Sequence, residues 1–436
     1  MTASPLPPAQ PTVPFGRAMR HAHFAFSPDY TPLNHGSYGT YPTCVRGAHA
    51  ALQSEAEAAP DRFIVLEWPA RLREARAAAA RVLNCDTDDL VFVPNATTGI
   101  DTVLKNLRWG TGDVVLVYEV VYEAVRGGLA WLEETFGVRV EVVPLCIPLP
   151  DDEIVDAVVS AARRVNASGN ERVRLAVVDT VVSMPGFRVP FERLVPALKA
   201  EGALVLVDGA HGIGHVDINI SKLEPDFLVT NLHKWLFVPR GLAALYVPRR
   251  HQDLMRTSLP TSHRFRKRGD DENKNAFIEL FDFTATLDTT NYLTVKTALT
   301  FRNEVCGGEE AIKTYCRRVA RESGEVAAAL FGTEVMDAGG SCMRECNFAN
   351  VRLPLAISDS GEAGTIHPRD ARKVGTWFKA TGVKESGTYF QTCFYRGALW
   401  WRLSAMVYVE VEDFRQGAHV LLALCERAAK GEWIEK

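Results

Sequence analysis

The stretch Ala203-Leu-Val-Leu-Val-Asp208-Gly-Ala-His211 is a short aliphatic run that stops at an acid, and the next apolar run, 227–229, leads into Asn231-Leu-His-Lys234. Runs this short, rich in β-branched and aliphatic residues and bounded by polar positions, predict strands covered on both faces. Outward from them the same unit repeats. The pattern predicts further strands over 90–93, 114–118, 138–143, 175–179 and 242–247, and helices over 98–107, 122–136, 153–165 and 191–200. Strands separated by helices of ten or more residues pair in parallel through helical crossovers. Two Ala-rich amphipathic stretches, 48–59 and 69–83, are strong helix formers and precede the alternation.

The pattern changes near Arg249. A charged stretch, 264–274, reads as an exposed loop: four basic residues within 264–268 are followed by three acidic ones, so it carries little net field. Two long helical patterns and a mixed α/β segment follow. The expected organisation is an N-terminal arm over 1–30, a large domain over 31–295 and a small C-terminal α/β domain over 296–436.

Composition excludes several classes. With 47% apolar and 23% charged residues, the 436-residue chain reads as an ordinary globular protein, not a collagen-like, disordered or coiled-coil one. Its 49 basic and 53 acidic residues give no global field to attract nucleic acid or an anionic membrane. No apolar run is long enough to span a bilayer. The Pro-rich start lacks the basic and apolar regions of a secretory signal. The nine cysteines include one close pair, Cys342 and Cys346, without a second pair at metal-ligand spacing. A cytoplasmic protein without a metal is the expectation.

Ligands of open parallel sheets sit beyond the carboxyl ends of the strands. The polar residues there are Asn95-Ala-Thr-Thr-Gly99, Tyr122, Asp179-Thr-Val-Val-Ser183, Asp208-Gly-Ala-His211 and Asn231-Leu-His-Lys234. Neither glycine-rich nucleotide fingerprint is among them. Asn95–Gly99 fits a phosphate at a helix N-terminus, or equally a simple cap by Asn95 or Thr97. Asp208 ends an apolar strand, where a carboxylate is costly unless paired. A lysine in an apolar setting, as Lys234 is beside Trp235, is freed to attack a carbonyl. Taken singly, a capping aspartate and a snorkelling lysine explain both positions. His211-Gly-Ile-Gly-His215 spaces two histidines four apart, but its glycines disfavour a helix and no glutamate adjoins, so it does not make a zinc-hydrolase motif.

Taken together, Asp208-Gly-Ala-His211 and Asn231-Leu-His-Lys234 resemble the signature of fold-type I pyridoxal-phosphate enzymes of the class V aminotransferase family. Leu33-Asn-His-Gly-Ser-Tyr-Gly39, Val182-Ser-Met-Pro-Gly186 and Arg402-Leu-Ser-Ala405 agree with it in order and spacing, over nearly the whole chain after Phe26. Within that family the chain is similar to fungal isopenicillin N epimerase-like proteins, such as hercynylcysteine sulfoxide lyase and the loline-pathway enzyme. The resemblance implies a mainly parallel central sheet flanked by helices, a smaller C-terminal α/β domain, and pyridoxal 5'-phosphate as cofactor. It implies that Lys234 carries the cofactor and shuttles protons, and that Asp208 faces the pyridine nitrogen. His211 and Ser183 would lie near the ring hydroxyl. Thr97, with the amides of Ala96 and Thr98, would cradle the phosphate, with Asn231 and His233 on its other side. Thr286 would reach the phosphate of a second subunit in a homodimer. Arg402 would grip the substrate carboxylate in the Asn34 region, and Tyr122 would cover the ring and serve as an acid.

The implied reaction runs through an external aldimine and a quinonoid on an amino acid, with C–S β-elimination leading. C–C or C–N bond formation, epimerisation and transamination remain alternatives, as does a non-catalytic cofactor-binding protein. Two positions depart from the family pattern: Glu123 follows Tyr122 where relatives carry glycine, and Val65 stands where they carry arginine, leaving Arg62 or Arg402 for acidic substrate groups.

Overall fold

The computed structural model describes residues 10–267, 276–360, 362 and 364–434. The first nine residues of the expected arm and residues 268–274 of the charged loop lie outside the described residues, while Arg264 to Lys267 are exposed. The chain divides into two compact units. One comprises Gly39–Val182 and Val189–Leu299; the other comprises Met1–Tyr38, Ser183–Arg188 and Thr300–Lys436. The N-terminal segment therefore groups with the C-terminal one, whereas the sequence suggested an arm ending at residue 30.

The first unit holds a seven-stranded sheet. Its strands are β1 (Leu90–Val93), β2 (Asp113–Tyr118), β3 (Arg139–Val143), β4 (Arg172–Asp179), β5 (Leu204–Gly209), β6 (Phe227–Asn231) and β7 (Ala243–Tyr246). The order across the sheet is β1-β7-β6-β5-β4-β2-β3. Every predicted strand is present, with ends shifted by at most a few residues. The alternation forces this: helices Ala96–Asn106, Glu123–Phe136, Asp151–Ala167 and Phe191–Ala200 cross between parallel strands, so the inner strands are covered and largely apolar, while the edge strand β3 carries Arg139 and Glu141 and is only partly buried. Val91, Val117, Val177, Leu206 and Val229 pack with Ile100, Val103 and Leu129 in one core.

β7 departs from the expectation of parallel pairing. It runs antiparallel to both β1 and β6. Only residues 232–242 separate it from β6, and that span contains Pro239 and Gly241, too little chain for a crossover helix.

The second unit is a three-stranded antiparallel sheet of β8 (Phe348–Arg352), β9 (Thr392–Tyr395) and β10 (Ala398–Ser404), with β10 in the centre. It carries helices Glu309–Phe331, Ala371–Ser386 and Val411–Ala429. Trp401 of β10 is fully buried, edge-on to Phe390. The N-terminal helix Arg17–His23 joins this unit by charge and ring contacts: Arg17 Nε lies 3.1 Å from Asp413 Oδ1, and the Phe24 and Tyr408 rings are 4.7 Å apart. No helix among the described residues is long and apolar enough to cross a membrane.

Candidate active site

Within the first unit, the carboxyl ends of β5 and β6 bring together Asp208 and Lys234, the two residues that the family resemblance singles out. β5 and β6 are adjacent and parallel, with Asp208 in register with Val229. β5 delivers Asp208 at its end; β6 ends at Asn231 and turns at once into the short helix Leu232–Trp235, which carries Lys234. Both side chains are buried, at 3% and 9% exposure. Burial pushes the Asp208 carboxyl up, while the Ala210 amide, which donates to its Oδ1 at 2.9 Å, acts against that rise. A buried carboxylate is tolerated only with such partners.

Behind Asp208 stands a second buried acid, Asp179, its register partner on β4. Burial first, then repulsion from Asp208, raises the Asp179 carboxyl well above its usual range. The Tyr118 hydroxyl donates to Asp179 Oδ2 at 2.8 Å and accepts from the Asp179 amide at 2.6 Å. Like charges this close repel, which is why Asp208 is the second cause of the rise at Asp179. The sequence placed Asp179 at a strand end without giving it a role; the signal was its alignment with Asp208 on the neighbouring strand.

Lys234 Nζ lies 3.1 Å from His211 Nε2, and the Trp235 indole donates to His211 Nδ1 at 3.1 Å. His233 turns away: its Nδ1–H donates to the Leu242 carbonyl at 2.9 Å. Burial, the largest influence, lowers the His233 imidazole to about 4. In the unfolded chain that ring titrates near 6.5, so the unfolded state binds more protons between the two values. Stability from neutral His233 is complete above about 6.5 and is lost as pH falls toward about 4. Denaturant midpoints of the wild type should fall across that window, and His233→Gln, which can still donate to Leu242, should flatten the fall.

The turn in front of Lys234 is sealed by backbone. Gly39 has φ +64°, and a Cβ there would sit 2.0 Å from the His233 carbonyl oxygen. Gly39→Ala should therefore destabilise the fold by ~2–3 kcal/mol in urea titrations. Gly47→Ala, in the exposed helix Thr43–Ala58 with nothing within 4 Å of a new Cβ, should stabilise it by up to ~1 kcal/mol.

The helix Ala96–Asn106 begins where the sequence suggested a phosphate cradle. Asn95 caps it, its Oδ1 accepting from the Thr98 amide at 2.8 Å. The Ala96 amide donates to Asn231 Oδ1 at 2.9 Å, which ties the helix start to the end of β6. The amides of Ala96 and Thr98, expected in the cradle, are thus already engaged. Thr97 is exposed, and its amide and hydroxyl form no hydrogen bond among the described residues. Tyr122, at 47% exposure, occupies the N-cap position of Glu123–Phe136, with Glu123 exposed beside it. Thr286 is exposed in the loop after the helix Ala276–Asp282.

The second unit builds its own constellation around Arg402 of β10. The guanidinium is 1% exposed. It donates to the Ser183 carbonyl at 2.8 Å and hydroxyl at 3.3 Å, and to Asn34 Oδ1 and Ser37 Oγ, both at 3.0 Å. Its carbon lies 4.5 Å from the Phe348 ring centre. Asn34 thus spends its carbonyl on Arg402, and Ser183, expected near the ring hydroxyl, holds Arg402 as well. Ser37 and Phe348 escaped sequence reading because only the fold brings them beside β10. Arg62 is exposed and paired with Glu67 at 3.0 Å.

Among the described residues no group of three or more histidine, cysteine or acidic side chains is placed to hold a metal ion. Cys342 and Cys346 are buried free thiols. The donor set suits another group. A buried primary amine beside a buried carboxylate, on neighbouring strand ends, answers an aldehyde and a protonated ring nitrogen, and a helix N-terminus tied to the same strand end answers a phosphate ester.

Comparison with known proteins agrees. The aminotransferase class-V family matches residues 65–317. The chain is 37% identical to the L-cysteine desulfhydrase-like protein lolT1 of Epichloe uncinata, over 96% of this chain and 98% of that protein. It is 28% identical to the hercynylcysteine sulfoxide lyase of Schizosaccharomyces pombe, over 94% and 98% respectively. Among solved structures, a complex of the cystine C-S lyase C-DES with cysteine persulfide superposes with a TM-score of 0.69 at 19% identity, over 91% of this chain and 97% of that one. The chain belongs to the class V aminotransferase family, the fold-type I enzymes that use pyridoxal 5'-phosphate.

Proposed function

We propose that the protein is a carbon–sulfur lyase that removes the β-substituent of a cysteine-type amino acid. The observation that carries this reading is the likeness to a cysteine desulfhydrase-like protein along nearly the full length of both chains, joined to a buried Lys234–Asp208 pair on neighbouring strand ends. Pyridoxal phosphate, when bound, supplies the electron sink that makes the substrate's α-proton removable. Asp208 would be the anion facing the pyridine nitrogen, with Asp179, which accepts from the Tyr118 hydroxyl, as its neighbour on β4. Lys234 Nζ is the base that takes the α-proton and keeps it out of water in its buried setting. Tyr122 is the acid that protonates the departing sulfur. Thr97 is the residue we assign to the phosphate, and Arg402 the carboxylate grip, which requires the substrate to take the place of Ser183, Asn34 and Ser37 on its donors. In a homodimer, Thr286 would serve the partner's phosphate.

The test is product analysis with the cofactor-loaded protein. L-Cysteine, S-substituted cysteines and their sulfoxides should yield pyruvate and ammonia in equal amounts with a sulfur fragment. Consumption of these substrates without pyruvate or ammonia would remove elimination, and a product heavier than the substrate would mark the bond-forming alternative.

A further inference from the structure

His211, Lys234 and Trp235 form a directed chain whose polarity follows from Trp235. An indole N–H only donates, so the His211 Nδ1 that it faces at 3.1 Å must accept. A doubly protonated imidazole has no acceptor, and the neutral ring must then carry its proton on Nε2. That nitrogen faces Lys234 Nζ at 3.1 Å. An ammonium has no lone pair to receive Nε2–H, so the arrangement is met by the neutral amine.

Trp235 is itself held. His215 stacks on it with ring centres 4.0 Å apart and planes 28° from parallel. The His215 Nδ1 donates to the His211 carbonyl at 2.9 Å, which fixes the proton on that ring too. Gly214, at φ +76°, lets the turn pass the Trp235 backbone, where a Cβ would meet the carbonyl oxygen at 2.8 Å. Trp235 and His215 are fully buried and His211 is 2% exposed, so no bulk water competes for these bonds. The histidine pair that failed as a zinc motif thus has a place.

We propose that Trp235, braced by His215, is a positioning residue that locks His211 as its Nε2–H tautomer and thereby holds Lys234 as a neutral nucleophile ready for the cofactor aldehyde. The inference rests on Lys234 being the cofactor lysine, but not on which reaction follows. The other titratable groups around the chain are Asp208 and His233, with Arg240 beyond it.

The experiment uses the full-length chain, cofactor-loaded and stripped, with 15N-labelled histidine and long-range proton–nitrogen spectra from pH 6 to 8. His211→Gln identifies the signal. Wild-type His211 should show a bare Nδ1 and a protonated Nε2 throughout. In Trp235→Phe, which keeps the ring against His215 but removes the N–H, both tautomers should appear and the ring should titrate within the window. Condensation of stripped protein with pyridoxal phosphate, which releases water and is followed by absorbance, should slow at least tenfold at pH 7 in this variant and recover by pH 9. A protonated Nδ1 in the wild type would overturn the proposal even if the variant misfolds. An unchanged tautomer and unchanged condensation rate in a folded Trp235→Phe would do the same. Because the spectra do not depend on the reaction catalysed, failure here stays distinct from failure of the lyase assay.

Discussion

Lys234→Ala should abolish turnover, by at least ~10⁴-fold, and remove the visible absorption of the bound cofactor. Two losses combine. On the proposed reading the amine is the covalent attachment point and the proton carrier, and general acid–base catalysis alone contributes ~10²–10⁴-fold. The side chain is also the partner of a buried group, His211 at 3.1 Å. The variant should still fold, since alanine suits the four-residue helix and the hole is lined by polar groups that water can satisfy. Absorbance and pyruvate release measured on one preparation check both parts. Activity within tenfold of the wild type would exclude Lys234 as the attachment point.

Asp208→Asn should cost ~10²–10⁴-fold in turnover and weaken cofactor retention, while leaving the absorption band present. The size follows from breaking a buried ion pair, ~3–5 kcal/mol when one partner is lost, with 1.36 kcal/mol per factor of ten. The amide keeps the shape, and its oxygen still accepts from the Ala210 amide. What disappears is the charge that holds a proton on the ring nitrogen. Asp179 is a poor substitute for it, because burial raises that carboxyl well above its usual range and Tyr118 already donates to it. Turnover and dialysis-resistant cofactor content are the measurements; a neutral effect on both would show that Asp208 does not face the ring.

Much of the architecture was legible because it is local. Seven apolar runs and four crossover helices declare themselves by period, and the sheet must be parallel wherever a helix separates two strands. β7 was misread where that condition fails: eleven residues with a proline and a glycine cannot cross over, a signal present but not weighed. The grouping of the N-terminal segment with the C-terminal one was not legible. It depends on Arg17 meeting Asp413 and Phe24 meeting Tyr408, contacts nearly four hundred residues apart that no periodicity encodes.

At the site, Lys234 and Asp208 taken singly read as a snorkelling lysine and a capping aspartate, and only the family resemblance gave them roles. Asn95 was legible as a cap and as a cradle, and the structure gives it the cap. Ser183 and Asn34 received their ligand roles from the same resemblance, and their contact with Arg402 was not legible because it joins distant parts of the chain. Trp235 hid because a tryptophan after a strand reads as core; only its indole hydrogen, aimed at His211, distinguishes it.

The central claim is that Lys234 carries the cofactor. Borohydride reduction of the yellow protein, followed by tryptic digestion and mass spectrometry, tests it most directly. The account predicts one phosphopyridoxyl adduct, on the peptide that spans Lys234 between Lys222 and Arg240. An adduct on any other lysine, with Lys234 unmodified, would contradict it.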